Sequence, residues 1–334
     1  MFFSYNGTGG TGKMKKDAKK KKISVMVPCY NEEENIIPIS KAIIEELKKL
    51  EKYDYELMFI DNCSTDRTRE LIRQVCREND KIKAIFNVKN FGQFNSPYYG
   101  MCQLDGDCVI SMCCDFQDPI EMIPVFVKYW EEGYQIVCGI KTSSKENKII
   151  YWLRSIYYKL LKKYSSVEQI EQFTGFGLYD QSFIKVLRQL KDPTPFIRGI
   201  VAEFGGRRKE VPYEQPRRKA GKTHNNFYTL YDAAMLSFTS YTKIGMRLAV
   251  FIGLAFSFFS FVIGVVYLVM KLVYWDRFVA GQAPTIIILT MMCSIILVFL
   301  GILGEYILTI NQRVMNRPLV IEEERINFDQ KDIS

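Results

Sequence analysis

The chain has 334 residues, 48% of them hydrophobic, and a net charge of +8, enough for one large or two small domains. A single histidine excludes a His-rich metal site. Nine cysteines with no CxxC pair and no metal-ligand spacing read as reduced core residues facing the cytoplasm. The positive charge gathers near the N-terminus and around residues 207–222, which asks for an anionic partner: lipid headgroups, a sugar nucleotide, a lipid phosphate or nucleic acid.

Residues 1–22 read as a flexible basic tail near an anionic membrane. Gly7 to Gly12-Lys13 imitates a phosphate-binding loop, but Met14 stands where a Ser or Thr should hold Mg²⁺. Ile23 to Val27 is a short apolar strand, ended by Pro28. Cys29-Tyr30-Asn31-Glu32-Glu33-Glu34-Asn35 opens a helix to about Lys49, with Asn31 as a candidate cap. Tyr55 to Ile60 is a second strand, delivering Asp61-Asn62-Cys63-Ser64-Thr65-Asp66 at its end. Asp66 or Thr65 caps a helix to about Glu78. Ile82 to Phe86 is a third strand, Asn87 to Gln93 a loop, and a helix runs on to about Leu104. Val109 to Met112 is a fourth strand, running into Cys113-Cys114-Asp115-Phe116-Gln117-Asp118-Pro119. This β-α-β-α-β-α-β order predicts a parallel, helix-covered sheet with its ligand at the C-terminal strand ends, where Asp61 and Asp115 lie. Asp115, Gln117 and Asp118 supply hard oxygen atoms suited to Mg²⁺ or Mn²⁺. Each motif alone is an ordinary turn or helix start; their joint spacing at four successive strand ends is not.

Pro28-Cys29-Tyr30-Asn31-Glu32, Asp61 to Asp66, Asn90-Phe91-Gly92 and Asp115-Phe116-Gln117-Asp118-Pro119 together resemble the signatures of family 2 glycosyltransferases with a GT-A fold, in the polyprenyl-phosphate branch. The resemblance covers about residues 22–325. It implies a Rossmann-like mixed sheet with helices on both faces, followed by an interfacial helix and two transmembrane helices. It implies inverting transfer of a hexose from a nucleotide sugar, with UDP-glucose the expected donor, to polyprenyl (undecaprenyl) phosphate, assisted by Mg²⁺ or Mn²⁺. Pro28, Tyr30, Glu32, Asn90, Gly92 and Gln93 would line the nucleotide-sugar pocket, Asp61 would accept from the uracil N–H, and Asp115 and Gln117 would hold the metal. Asp115, Asp118 and Arg198 are the expected catalytic groups.

The chain departs from the family in two places. The usual DxD is Cys113-Cys114-Asp115, so the first carboxylate is missing. Either Asp115 and Gln117 suffice, or Asp118 assists, or the metal binds weakly. Asp-Asp-Gly-Ser is Asp61-Asn62-Cys63-Ser64, so Cys63 must take a backbone shape that glycine normally takes, unless the turn differs.

Further along, Glu121 to Glu132 is a predicted helix and Gln135 to Ile140 a strand, followed by a polar stretch with Lys141. Ile149 to Tyr164 is a basic aromatic helix, packed on the core or set in a membrane interface. Thr174 to Asp180 precedes another helix, and Asp180 reads as its cap rather than as a base. An ionised phosphate acceptor lessens the need for a base and asks for cations. Lys141, Arg198 of Phe196-Ile197-Arg198-Gly199, and Arg218, Thr223 and His224 of a mobile loop over 215–224 are the residues expected on the acceptor or diphosphate. A merely solvated basic loop is the rival reading.

Residues 23–226 form the expected cytoplasmic domain, and 227–247 an amphipathic interfacial helix. Two runs are expected spans, 248–270 without a charge and 284–308 without one as far as Gly304, with Glu305 near its end, and 311–334 is an expected cytoplasmic tail resembling the family's return segment. The lipid bilayer is therefore an expected partner, and the cell membrane the expected location. Nucleic acid is not expected, since the basic residues adjoin the spans. Members of the group can self-associate through such spans, which makes a homo-oligomer a further expectation.

Overall fold

The computed structural model describes residues 20–142, 170–190, 192–216, 282–315 and 317–328, with isolated positions between 235 and 273. The expected helix over 149–164, the loop residues Arg218, Thr223 and His224, the interfacial helix over 227–247 and most of 248–270 lie outside the described residues.

Eight strands form one mixed sheet: β1 (Lys22–Cys29), β2 (Asp54–Asp61), β3 (Ile82–Asn87), β4 (Cys108–Ser111), β5 (Ile136–Lys141), β6 (Phe173–Asp180), β7 (Arg208–Tyr213) and β8 (Glu322–Ile326). Their order across the sheet is β7-β5-β6-β4-β1-β2-β3-β8. β4, β1, β2 and β3 are parallel, as the alternation of strands and helices predicts. β6 runs antiparallel to both β4 and β5, and β8 antiparallel to β3. Among the described residues the helices with defined bounds are α1 (Ile36–Lys48), α2 (Thr68–Glu78), α3 (Gly92–Cys102), α4 (Met122–Glu131), α5 (Gln181–Leu190), α6 (Ile197–Phe204) and α7 (Gln282–Val314).

The strand side chains alternate between two cores, as a pleated strand requires. Val25, Val27, Phe59 and Phe86 face α1, α2 and α4; Met26, Met58, Ile60 and Ile85 face α3, α5 and α6. On α1, Ile36, Ile39, Ile43 and Leu47 are buried at helical spacing, and each contributes roughly 1.5–3 kcal/mol by leaving water. A Cβ on Gly100 of α3 would lie 3.2 Å from Ile60 and Met58 side-chain atoms, so glycine lets this helix sit close on the sheet.

Several boundaries differ from the sequence reading. β1 continues through Pro28 to Cys29. Met26 O accepts from the Met112 N–H just past β4 and Cys29 O from the Asn62 N–H just past β2, so Pro28 faces the β4 side, beyond the end of β4 at Ser111. Its missing N–H therefore breaks no ladder bond there. α1 starts at Ile36, not at Cys29, because Asn31 takes φ +54 and bonds across to the next loop instead of capping. α2 starts at Thr68; Asp66 accepts from the Thr68 N–H at 3.0 Å, and Glu33 of the first loop accepts from the Arg67 N–H at 2.9 Å. The stretch 174–180 is itself a strand, and Asp180 then caps α5, accepting from the Ser182 N–H at 2.8 Å.

α7 runs through the expected span 284–308. Among the described residues no helix is long and apolar enough to cross a membrane, and several α7 side chains lie outside that set. After α7 the chain returns as β8 and completes the sheet edge beside β3. None of the eight described cysteines is in a disulfide.

Candidate active site

Because β1 to β4 are parallel, their C-terminal ends share one rim of the sheet, and β5 and β7 end there too. The rim gathers Tyr30 and Glu32 after β1, Asp61 closing β2, Asn90, Gly92 and Gln93 after β3, Asp115 after β4, and Lys141 closing β5. Asp61 closes β2 and Asp115 follows β4, the two strands that flank β1 on either side.

The first three loops are stitched to one another. The Asn31 N–H donates to Ser64 Oγ at 2.9 Å, and Asn31 Oδ1 accepts from the Thr65 N–H at 2.8 Å. The Glu32 N–H donates to Thr68 Oγ1 at 2.8 Å, while its carboxylate accepts from Asn35 Nδ2 at 2.6 Å. Asn62 is the hub. Its Nδ2 donates to Asn90 Oδ1 and Gly92 O, and its Oδ1 accepts from the Phe91 N–H and Asn87 Nδ2. Sequence reasoning named Asn90 and Gly92 but gave Asn62 no role. The signal was its position, directly after the buried Asp61 and in place of the family's second aspartate. Gly92, at φ +89, makes the turn into α3.

Cys63 does adopt the glycine-like backbone, with φ +65. That turn aims the N–H groups of Cys63 and Ser64 at Asp61 Oδ2, at 3.1 and 3.2 Å. Asp61 has no accessible surface. Burial raises its carboxyl pKa, opposed by Ser64, Arg69 and Cys63. As it stands, Asp61 holds the turn rather than an open base edge. The buried Cys29 thiol at the end of β1 lies between this turn and β4. Burial pushes it well up, and the neighbouring Cys114 thiol and the Asp61 carboxylate add to the rise.

At the end of β4, Phe116 takes φ +60 and Asp115 Oδ1 accepts from the Gln117 N–H at 3.1 Å, closing a tight turn. The two acids of this turn have different surroundings. Asp118 faces inward, accepting from the Cys113 N–H at 2.8 Å and from the Tyr213 hydroxyl of β7 at 3.3 Å. Burial pushes its carboxyl up to about 6 against those donors, and the charge of Asp115 adds to the rise. Asp115, also buried, stands three residues nearer the strand end, with Gln117 partly exposed beside it. Arg198, in the first turn of α6, lies over the Phe196 ring at 4.8 Å, and Phe196 meets Phe94 of α3 edge-on at 5.6 Å. That contact brings Arg198 beside the Gly92–Phe94 end of the rim.

Among the described residues no group of three or more His, Cys, Asp or Glu is gathered closely enough to hold a metal alone. Asp115 and Gln117 are one carboxylate and one amide oxygen. That set fits a hard divalent ion that keeps waters and takes its remaining ligands from a diphosphate, the habit of Mg²⁺ in phosphate-binding sites.

The glycosyl transferase family 2 model matches residues 24–192. A bactoprenol glucosyl transferase of a Shigella flexneri prophage is 30% identical over 301 residues, covering 90% of this chain and 97% of that one. An uncharacterized glycosyltransferase of Bacillus subtilis, YkcC, is 29% identical, covering 92% of this chain and 95% of that one. Among solved structures, glucosyl-3-phosphoglycerate synthase of Mycobacterium tuberculosis aligns over 66% of this chain and 78% of its own, with 16% identity and a TM-score of 0.46.

Proposed function

This chain belongs to glycosyl transferase family 2, and from that premise we propose that it transfers a hexose from a nucleotide sugar to polyprenyl phosphate at the cytoplasmic face of the membrane. UDP-glucose is the proposed donor and undecaprenyl phosphate the proposed acceptor. The observation that carries the reading is the single rim of strand ends along which Glu32, Asp61, Asn90, Asp115 and Lys141 are ranged. The likeness to a bactoprenol glucosyl transferase over 90% of the chain supports the lipid acceptor.

The nucleotide lies on the stitched loops of Tyr30–Glu32, Asp61–Ser64 and Asn90–Gln93. Asp115 and Gln117 would hold Mg²⁺ or Mn²⁺, which would supply positive charge against the departing nucleoside diphosphate. Asp118 acts as a positioning residue: it ties the Asp115 turn to β7 through Tyr213. The acceptor phosphate is already ionised and attacks the anomeric carbon from the face opposite the nucleotide, which inverts the centre. Arg198 and Lys141, with Arg218, Thr223 and His224, supply the cations and donors that position it. The lipid reaches the rim because 227–247 lies in the interface while 248–270 and 284–308 cross the bilayer. Leu297, Val298, Leu300, Ile307 and Ile310 of α7 are exposed apolar side chains, a surface suited to lipid.

Membranes carrying the protein, given labelled nucleotide sugar, polyprenyl phosphate and Mg²⁺, should yield an acid-labile labelled lipid. If no common donor labels any lipid, the proposal fails. An acid-stable product would instead point to a glycolipid or polysaccharide acceptor. The cysteine in place of the first DxD carboxylate favours one rival, a membrane scaffold that binds nucleotide sugar without turnover. Metal-dependent turnover lost in Asp115→Ala excludes it.

A further inference from the structure

β8 does more than close the sheet edge. Its register against β3 pairs Glu324 with Phe86 and Glu322 with Asn87, so Glu323 is an extra, bulged residue. In a regular strand, successive side chains point to opposite faces. Here Glu323 and Glu324 both reach α2: Glu323 Oε2 lies 2.7 Å from Arg69 Nη2, and Glu324 Oε2 lies 2.7 Å from Arg73 Nη2. Arg69 and Arg73 are one helical turn apart, so two adjacent acids can meet them only if the strand is bulged. On the other face Arg325 donates to Gln103 Oε1 at 2.6 Å, beside the end of α3.

The two arginines differ in what lies beyond them. Both stack on Phe86, at 5.1 and 4.5 Å. Arg69 alone has Asp61 in ion-pair range, with Nε 3.2 Å from the fully covered Oδ2. The pair lacks the alignment of a hydrogen bond, and the buried Arg69 Nε–H has no hydrogen-bond partner among the described residues. The guanidinium is thus held in place by the carboxylate of Glu323, 254 residues away in the chain, and lends its charge to Asp61. Asp61 in turn orients the Cys63–Ser64 turn of the nucleotide loops.

We propose that Arg69 is a positioning residue of the nucleotide site, and that the bulged return strand, through Glu323, sets how tightly the donor nucleotide is held. This rests on the reading of the rim as a nucleotide-sugar site. Arg69 touches no substrate; it fixes the turn on which the nucleotide lies. Its loss therefore weakens donor binding more than it slows the chemical step.

The test uses the full-length protein in detergent with Mg²⁺. UDP and GDP serve as calorimetric probes, and whichever nucleotide sugar the unaltered protein turns over serves for kinetics. Arg69→Ala should raise the nucleotide Kd and donor KM about tenfold, and Glu323→Gln about threefold, with kcat within about twofold in both. Arg73→Ala and Glu324→Gln break the neighbouring contact of the same strand with the same helix, and should leave donor KM unchanged. If Arg69→Ala does not fold, Glu323→Gln, an exposed substitution, carries the test. An unchanged KM in Glu323→Gln overturns the proposal. So does an equal rise in the Arg73 and Glu324 variants, because the effect would then be docking of β8 alone. If the unaltered protein binds neither nucleotide, the site reading itself falls and takes this inference with it.

Discussion

The two ends of the central strands are built on opposite terms. At the end where β1 and β2 begin, the buried carboxylate is met by hydroxyl and ammonium groups. The buried Glu56 accepts from Ser24 Oγ at 2.5 Å and lies 3.0 Å from the ammonium groups of both Lys22 and Lys83. Burial alone would raise its carboxyl pKa, but those partners outweigh it and the net shift is downward. At the rim where the strands end, Asn31, Cys63 and Phe116 all take positive φ, and burial raises the carboxyls of Asp61 and Asp118. Conformations and charges that are costly by themselves are tolerated there because neighbouring loops hold them. One end secures the sheet, and the other stores the arrangement proposed to bind the nucleotide sugar and react.

That contrast can be broken at either end. The largest expected effect is at the rim: Asp115→Ala should lower kcat on the order of a thousandfold with no loss of thermal stability, measured by lipid labelling and a melting curve. At the far end, Glu56→Ala should cost about 2 kcal/mol of stability, the scale of a hydrogen bond to a charged group, and leave donor KM unchanged. The two ends should also respond to pH with opposite sign. Glu56 has a folded pKa below its ordinary 4.5, so its stabilisation is present above that value and is lost as pH falls through the lowered one. Asp118 has a folded pKa of about 6 against an ordinary 3.8, so its contribution is greatest below 3.8 and is lost as pH rises through 6. Melting curves from pH 3 to 7 should show Glu56→Gln closing on the unaltered protein as pH falls below 4.5. Asp118→Asn should lack a pH-dependent loss on the order of 2 kcal/mol as pH rises.

Smaller effects sharpen the comparison. A methyl on Gly106 would fall 2.2 Å from Ser24 Oγ and 2.9 Å from the Lys22 carbonyl oxygen, so Gly106→Ala should cost about 1–3 kcal/mol by overpacking the secured end. At the rim, Cys63→Gly should relieve the left-handed strain and raise stability by about 0.5–1 kcal/mol, read as a higher melting temperature.

Much of this was legible in the residues. The apolar runs predicted β1 to β4 in place, and the gaps between them were long enough for crossover helices. The bend at Cys63 was anticipated from the missing glycine. The start of α1 was not, because Asn31 is held by Ser64 and Thr65, more than thirty residues away. Nor could the residues show which acid of the β4 turn is tied to β7, both being buried. Tyr213 donates to Asp118 from 95 residues downstream. The tail was read as a return segment, but its bulge depends on how β3 and α2 meet it.

Local patterning of the residues accounts for β1 to β5 and the chemical groups at their ends, because alternation and helical period are local properties of the chain; it did not show β6, β7 and β8 as strands or the order of the sheet. Tertiary structure decided which of those groups are covered, which loops hold one another, and that Glu323 stands behind Asp61. Burial and pairing depend on neighbours brought from up to 254 residues away, and no local pattern encodes them.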